Sequence, residues 1–546
     1  MHLKKPKWPS QNGKVYQSVW LCESYRENGK SKSRYIANLK NCSVKEIEAL
    51  EFALKHTRDL DQFVDKEKVR IKQGRSIGAV WTVYKTAEKL GITKAIGGGF
   101  QGQLALWQIV ARIIEQGSRL SAVRLHKVHA LADVIGLQRG FDENDLYENL
   151  AWLSENQERV EQGLFVMRQS GDKPTLFLYD VTSSYLEGDK NALAAFGYNR
   201  DRKKGKKQIV IGLLCDAEGD PLSVQVFPGN TQDVSTFYDQ VKKVSERFGC
   251  EAVTFVGDRG MIKSSQIKEL SKEGFNYISA LTKSQIETLL KRNIIQMGLF
   301  DNNLCEVAHE GIRYILRRNP CRAEEQAASR RGKTSTIEAF AKKQNTYLAE
   351  HPKAKVDVAT RKVQERIQVL NCERWLSVGV QERTLTLECD QEALKNLSRL
   401  DGCYVITTDL SVRKADMESA HARYKDLAKV ERAFRVSKTG HLELRPVYVR
   451  SEASTRGHVF VVMLAYMIRR HLEKAWKDID LTVEEGLEAL KTFCCIEMQM
   501  PSSPGVHSLP EPNSTVKELV DAAAIKMPKA LTHRKVNVGT RKKLSN

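Results

Sequence analysis

Asp180 interrupts the apolar run TLFLYDVTSSYLE, Asp258 ends the apolar run AVTFVGDRGM, and Glu431 lies within the helix-patterned segment YKDLAKVERAFRVSK. Brought to one place, the three would make a metal-dependent phosphoryl-transfer site. Two carboxylates about 4 Å apart repel by about 4 kcal/mol at an effective dielectric near 20, so three stay ionised together only with cations among them. Hard carboxylate oxygens suit Mg²⁺ or Mn²⁺. Two such ions can stabilise both the attacking and the leaving oxygen of an in-line displacement at phosphorus.

Each acid alone has a plainer explanation. A carboxylate in an apolar strand can be a hydrogen-bonded core group, since burial without a partner is costly. Asp258, between Gly257 and Gly260, could simply form a turn. On its helix Glu431 shares one face with Tyr424, Arg435 and Lys438, beside an apolar stripe of Leu427, Val430 and Phe434. That face could grip metal and flanking phosphates, or Glu431 and Arg435 could form a surface i,i+4 ion pair worth about 0.3–0.5 kcal/mol.

The elements that must position these residues read as follows. Residues 1–75 form a basic β-rich region whose ENGK turn at Glu27 to Lys30 suggests a hairpin, either a DNA-contacting module or a small capping sheet. Residues 76–172 turn to helical periodicity, and Arg119, Arg124, His126 and Lys127 make this bundle a candidate DNA reader or a purely structural bundle. From 173 to 285 the pattern is three strands, a helix, a strand, a helix and a strand, an order expected of a ribonuclease-H-like core, a mixed sheet flanked by helices. Residues 400–476 complete that core. Residues 286–399, with charged helical segments and two strand-like runs, read as an insertion domain. Residues 477–546 form a C-terminal helical region and a basic tail, with the chain beyond Pro501 expected to be mobile.

Composition points to a polyanionic partner. With 87 Lys and Arg against 67 Asp and Glu, the 546-residue chain carries a net charge of +20. Such charge neutralises phosphates and releases their counterions, which favours nucleic acid, although a basic solvated surface also fits. The longest apolar stretch, HVFVVMLAYMI from His458 to Ile468, is too short to span a bilayer. MHLKKPKWPSQNGK is basic without an apolar core of a secretory signal, so a cytoplasmic location on DNA is expected. The segment AASRRGKT, Ala327 to Thr334, ends like a phosphate-binding loop, but Ala327 replaces its first glycine and no strand leads in, so no nucleotide cofactor is expected.

Tyr424, Glu431 and Lys438, spaced Y-x6-E-x6-K with Phe434 and Arg435 between, together with YDVTSSY, GNTQDVSTF and GDRGM, resemble the DDE transposases of bacterial insertion sequences. The resemblance is strongest to the subgroup with a β-rich insertion between the second Asp and the Glu. The 172 residues between Asp258 and Glu431 match such an insertion. It implies that Asp180, Asp258 and Glu431 hold two Mg²⁺ or Mn²⁺ ions, that element ends in double-stranded DNA are cleaved, and that the freed 3′-OH attacks target DNA. It also implies a homodimer pairing two ends. Tyr424, Arg435 and Lys438 would position terminal phosphates. The family pattern places an Arg where this chain has Leu427, a role Arg435 or Arg432 could fill. The loop from Asn199 to Lys207, with Arg200, Arg202, Lys203 and Lys204, reads as a basic arm on DNA or a solvated charge run; Asp233 reads as a helix start. Two other readings stay open: a ribonuclease-H-like nuclease that never joins strands, and a non-catalytic DNA-binding protein whose acids are structural.

Overall fold

Runs of β-branched and aromatic residues between polar turns build an eight-stranded mixed sheet. From one edge to the other its strands are Cys305–His309, Ile312–Arg318, Cys403–Thr408, Asn276–Ala280, Thr254–Gly257, Leu176–Tyr185, Gln208–Cys215 and Pro221–Pro228. Thr254–Gly257 runs parallel to both its neighbours, and all other pairs are antiparallel. The computed structural model describes residues 1–9, 15–56, 70–168, 174–201, 203–259, 261–262, 264–500 and 503–540.

These residues divide into two units. One comprises Met1–Arg75, Cys494–Glu511 and Pro528–His533. In it Trp20–Glu27 and Lys30–Asn38 form a hairpin. Its two-residue turn places both Asn28 and Gly29 at positive φ, the twist that suits right-handed strands. The other unit, Ser76–Phe493, Pro512–Met527 and Arg534–Asn546, holds the large sheet.

Alternation along Leu176–Tyr185 sorts its side chains onto two faces. Phe177, Tyr179 and Val181 enter a core with Phe237, Val241, Phe255, Phe275 and Tyr277, where Phe177 and Phe255 stack at 5.9 Å and Phe237 meets Phe255 edge-on at 5.3 Å. The Tyr179 ring crosses the neighbouring strand at Gly212, where a Cβ would stand 2.2 Å from its hydroxyl, so only glycine fits. Asp180 therefore points to the opposite face, against which helix Leu427–Lys438 packs through Leu427, Val430 and Phe434.

Several elements differ from what the sequence suggests. Cys305–His309 and Ile312–Arg318 form a hairpin that extends the large sheet through Cys403–Thr408, its turn residues Glu310 and Gly311 both at positive φ. One helix, Pro320–Glu350, contains the whole of Ala327–Thr334 and starts on the Asn319 side chain, which accepts from Arg322 N. Val356–Val369 packs against it, with hairpin Leu376–Gln381 and Thr384–Cys389 sharing their apolar cluster. The chain after Pro501, expected to be mobile, includes helix Ser514–Ala522, capped by Asn513; Val516, Leu519 and Val520 are buried and the Leu519 carbonyl accepts from Trp476 Nε1 at 2.9 Å. Its apolar face overrides the prolines and serines around it. The run His458 to Ile468 is buried inside helix Glu452–Ala475. Among the described residues no helix is long and apolar enough to cross a membrane.

Candidate active site

Parallel pairing sets the first two acids beside each other. The register matches Thr254 with Leu176 and runs to Gly257 with Tyr179, so Asp180 and Asp258 are the next residues along on adjacent strands, which lie roughly 4.8 Å apart. Both acids thus lie at the carboxyl end of the parallel pair, where open α/β sheets place ligands. Asp258 is exposed, and its Oδ1 accepts from its neighbour Arg259 N at 2.7 Å and from Tyr424 Oη at 3.2 Å. Asp180 is partly buried and its Oδ1 accepts from Val181 N at 2.8 Å.

The third acid comes from the helix above. Leu427, Val430, Ala433, Phe434 and Val436 bury one side of Leu427–Lys438, which leaves Glu431 and Arg435 exposed. The sequence reads as one helix from Tyr424 to Lys438, whereas the structure divides it into Met417–Lys425 and Leu427–Lys438. At the junction the Asp426 amide is shared among the carbonyls of Ala422, Arg423 and Tyr424, and its carboxylate pairs with Lys429 at 2.9 Å. Tyr424 nonetheless reaches the site from the first of the two helices.

Asp180, Asp258 and Glu431 line one cavity of about 410 Å³ together with Arg200, Asp201, Asp233, Arg435, Lys438 and Arg445. Electrostatics ties the acids together. Burial pushes Asp180 up to about 7, with the Asp258 and Glu431 charges adding to the rise and Arg200 opposing it. Burial and the same two carboxylates also raise Tyr424 above the usual phenol range, so its hydroxyl stays a donor. Among the described residues no three His, Cys, Asp or Glu side chains already converge at ligating distance. A set of carboxylate oxygens on one cavity wall, with Asp180 kept protonated up to about 7 chiefly by burial, fits a hard divalent cation that draws them in.

The basic residues divide into those facing the cavity and those engaged elsewhere. Lys438 is buried and its Nζ donates to Asp201 Oδ1 at 3.1 Å; Arg445 Nη1 donates to the same oxygen, and Tyr185 N donates to Oδ2 at 3.1 Å. Burial lowers the Lys438 pKa, against the opposing pull of Asp201. Arg200 Nη2 pairs with Asp233 at 2.6 Å, and Asp233 is the first residue of helix Asp233–Lys242, whose cap is Gln232. Arg432 pairs with Glu473, while Arg435 is exposed on the cavity wall. Lys203 and Lys204 are exposed, and the Lys203 ammonium lies 5.8 Å from the Tyr185 ring centre. Arg202 lies outside the described residues. Asp201 was not among the residues singled out in the sequence; a lone acid between Arg200 and Arg202 in NRDRKKGKK is the signal that could have marked it as an ion-pair hub.

The family described as Transposase DDE domain matches residues 171–468, and the IS1634 family transposase N-terminal domain matches residues 5–67. A solved structure, the cryo-EM structure of piggyBac transposase synaptic complex with hairpin DNA, is similar at 9% sequence identity over 76% of this chain and 78% of that chain, with a TM-score of 0.37. No curated protein matches.

Proposed function

The chain belongs to the DDE transposases of bacterial insertion sequences, and on that premise we propose that it cuts the ends of its element and joins the freed 3′-OH to target DNA, with Asp180, Asp258 and Glu431 as the catalytic acids. The observation that carries this reading is the shared cavity, in which strand register and an amphipathic helix bring together three carboxylates far apart in sequence.

Asp180, Asp258 and Glu431 would hold Mg²⁺ or Mn²⁺, two ions per site. Bound there, divalent ions neutralise the three carboxylates, favour ionisation of the attacking hydroxyl and offset charge on the leaving oxygen. Tyr424 holds Asp258 in orientation through its hydroxyl. Arg435, exposed on the same wall, is suited to a phosphate next to the scissile one. Lys438 acts at one remove: it and Arg445 fix Asp201 and so brace the cavity wall. The exposed Lys203 and Lys204 are suited to the flanking backbone, where contacts position a duplex without reading sequence. Arg432, engaged with Glu473, is a second candidate for backbone contact.

The core is read as ribonuclease-H-like, supported by the succession of three antiparallel strands, a helix, a strand, a helix and a further strand before the Glu431 helix. Residues 286–399 are read as an insertion between the second and third acids, residues 1–75 and 76–172 as DNA-contacting regions, and the working form as a homodimer on double-stranded DNA in the cytoplasm. Labelled element ends, a plasmid target and Mg²⁺ or Mn²⁺ test the reading. Cleavage with joining supports it, and cleavage without joining would make the protein a nuclease.

A further inference from the structure

Helices Phe100–Ile114, Arg119–Arg124 and Glu452–Ala475 supply Arg112, Arg119 and His458 to a second cavity, of about 170 Å³. Arg112 and Arg119 are each only 5% exposed. Arg112 Nη2 donates to the Gly117 carbonyl at 3.0 Å, and Arg119 Nη2 donates to His458 Nδ1 at 2.9 Å. The Nε of each arginine has no acceptor among the described residues. His458 brings no charge, because burial and the two arginines hold its pKa well below the usual range.

Counter-charge is short here. Glu443 stands 3.7 Å from Arg112 with its side chain 45% exposed; among the described residues Arg119 forms no ion pair with a carboxylate, and the Arg112 charge adds to the burial that lowers its pKa. Burial lowers Arg112 to about 10 and Arg119 to about 9, where both still carry their protons at neutral pH. Two buried cations against one half-exposed carboxylate leave an excess positive charge with unspent N–H donors, a costly arrangement unless an anion completes it.

We propose that this cavity is an oxyanion site that takes one phosphate group, held by the guanidinium forks of Arg112 and Arg119. Planar guanidinium donors match a tetrahedral oxyanion in geometry as well as charge. Tyr147 and Tyr448, 44% and 70% exposed, flank its mouth. The segment from Glu443 to Val449 joins it to the acidic cavity, since Arg445 lines the one while Glu443, Pro446 and Tyr448 line the other. A strand passing through the acidic cavity can therefore present another of its phosphates here. The anion site stands independently of the proposed function, whereas the DNA backbone as its source rests on that reading.

The test uses the full chain. Inorganic phosphate is titrated at constant ionic strength, with chloride as the reference, into the wild type, Arg119→Gln and Glu443→Gln. Wild type should bind phosphate, Arg119→Gln should lose it, and Glu443→Gln, which removes the competing exposed carboxylate, should bind about tenfold more tightly. Because Glu443 is exposed, that variant keeps the test decisive even if Arg119→Gln fails to fold. Salt dependence of binding to a 30-base-pair duplex identifies the source. A slope smaller by about 0.9 in Arg119→Gln assigns the site to a backbone phosphate, and an unchanged slope with phosphate binding lost assigns it to the free anion. Absence of phosphate binding in wild type together with no gain in Glu443→Gln overturns the site. Loss of strand joining in Glu431→Gln is a separate readout, so failure of the transposase reading is distinguishable from failure of this one.

Discussion

Tyr424 donates its hydroxyl to Asp258 Oδ1 across 3.2 Å, linking a residue on helix Met417–Lys425 to an acid at the end of strand Thr254–Gly257. A hydrogen bond to a charged acceptor contributes about 1.5–3 kcal/mol. Tyr424→Phe keeps the ring and removes the bond, so end cleavage should fall by about tenfold or more with thermal stability near wild type. A cleavage rate equal to wild type would remove Tyr424 from the site.

Asp201 is the counter-charge for two cations, Lys438 and Arg445. Removing one partner of a buried ion pair leaves the others desolvated, at a cost of about 3 kcal/mol or more. Asp201→Asn should therefore lower the unfolding midpoint in denaturant, and Lys438→Met should do so by less because Asp201 then keeps Arg445 and the Tyr185 amide as partners. Equal stability of Asp201→Asn and wild type would show that this network is not structural.

Asp180 gives a pH dependence with a definite sign. The folded chain keeps its proton up to about 7, whereas the unfolded carboxyl releases it near 3.8, so raising the pH between those values disfavours the folded, metal-free protein. A divalent ion must displace that proton. Affinity for Mg²⁺ should therefore rise by up to about tenfold per pH unit below 7 and level off above it. Calorimetric titration at several pH values checks this, and affinity independent of pH would mean that Asp180 is ionised without metal.

Gly212 sits under the Tyr179 ring, with 2.2 Å between a built Cβ and the hydroxyl. Gly212→Ala must push the ring out of the core or shift the strand that carries Asp180, which overpacking data place at about 1–3 kcal/mol. Both stability and end cleavage should fall. Loss of stability with cleavage intact would show that Asp180 is insensitive to the strand beneath it.

Much of the site could be read from local pattern. The apolar runs around Asp180 and Asp258 became strands, and the stripe of Leu427, Val430 and Phe434 became the buried side of the Glu431 helix. Those features depend on period alone. What was not legible depends on partners distant in sequence. The pairing of Lys438 with Asp201 was not legible because Asp201 lies in a loop 237 residues earlier, hidden within a run of cations. Ile312–Arg318 joins the large sheet by pairing with Cys403–Thr408, a pairing that charged residues such as Arg313 conceal until Glu306 is seen beside it at 2.6 Å. Helix Ser514–Ala522 takes its place from Trp476 and not from its flanking prolines.

In the proposed function Asp180, Asp258 and Glu431 act together on DNA phosphates. Its most direct test is end cleavage and strand joining in Mg²⁺ or Mn²⁺, comparing wild type with Glu431→Gln. Glu431 is exposed on its helix, so the change should leave the fold intact. Metal-dependent cleavage and joining in wild type, both lost in Glu431→Gln, are the predicted result. Equal activity in the two proteins would contradict the assigned triad.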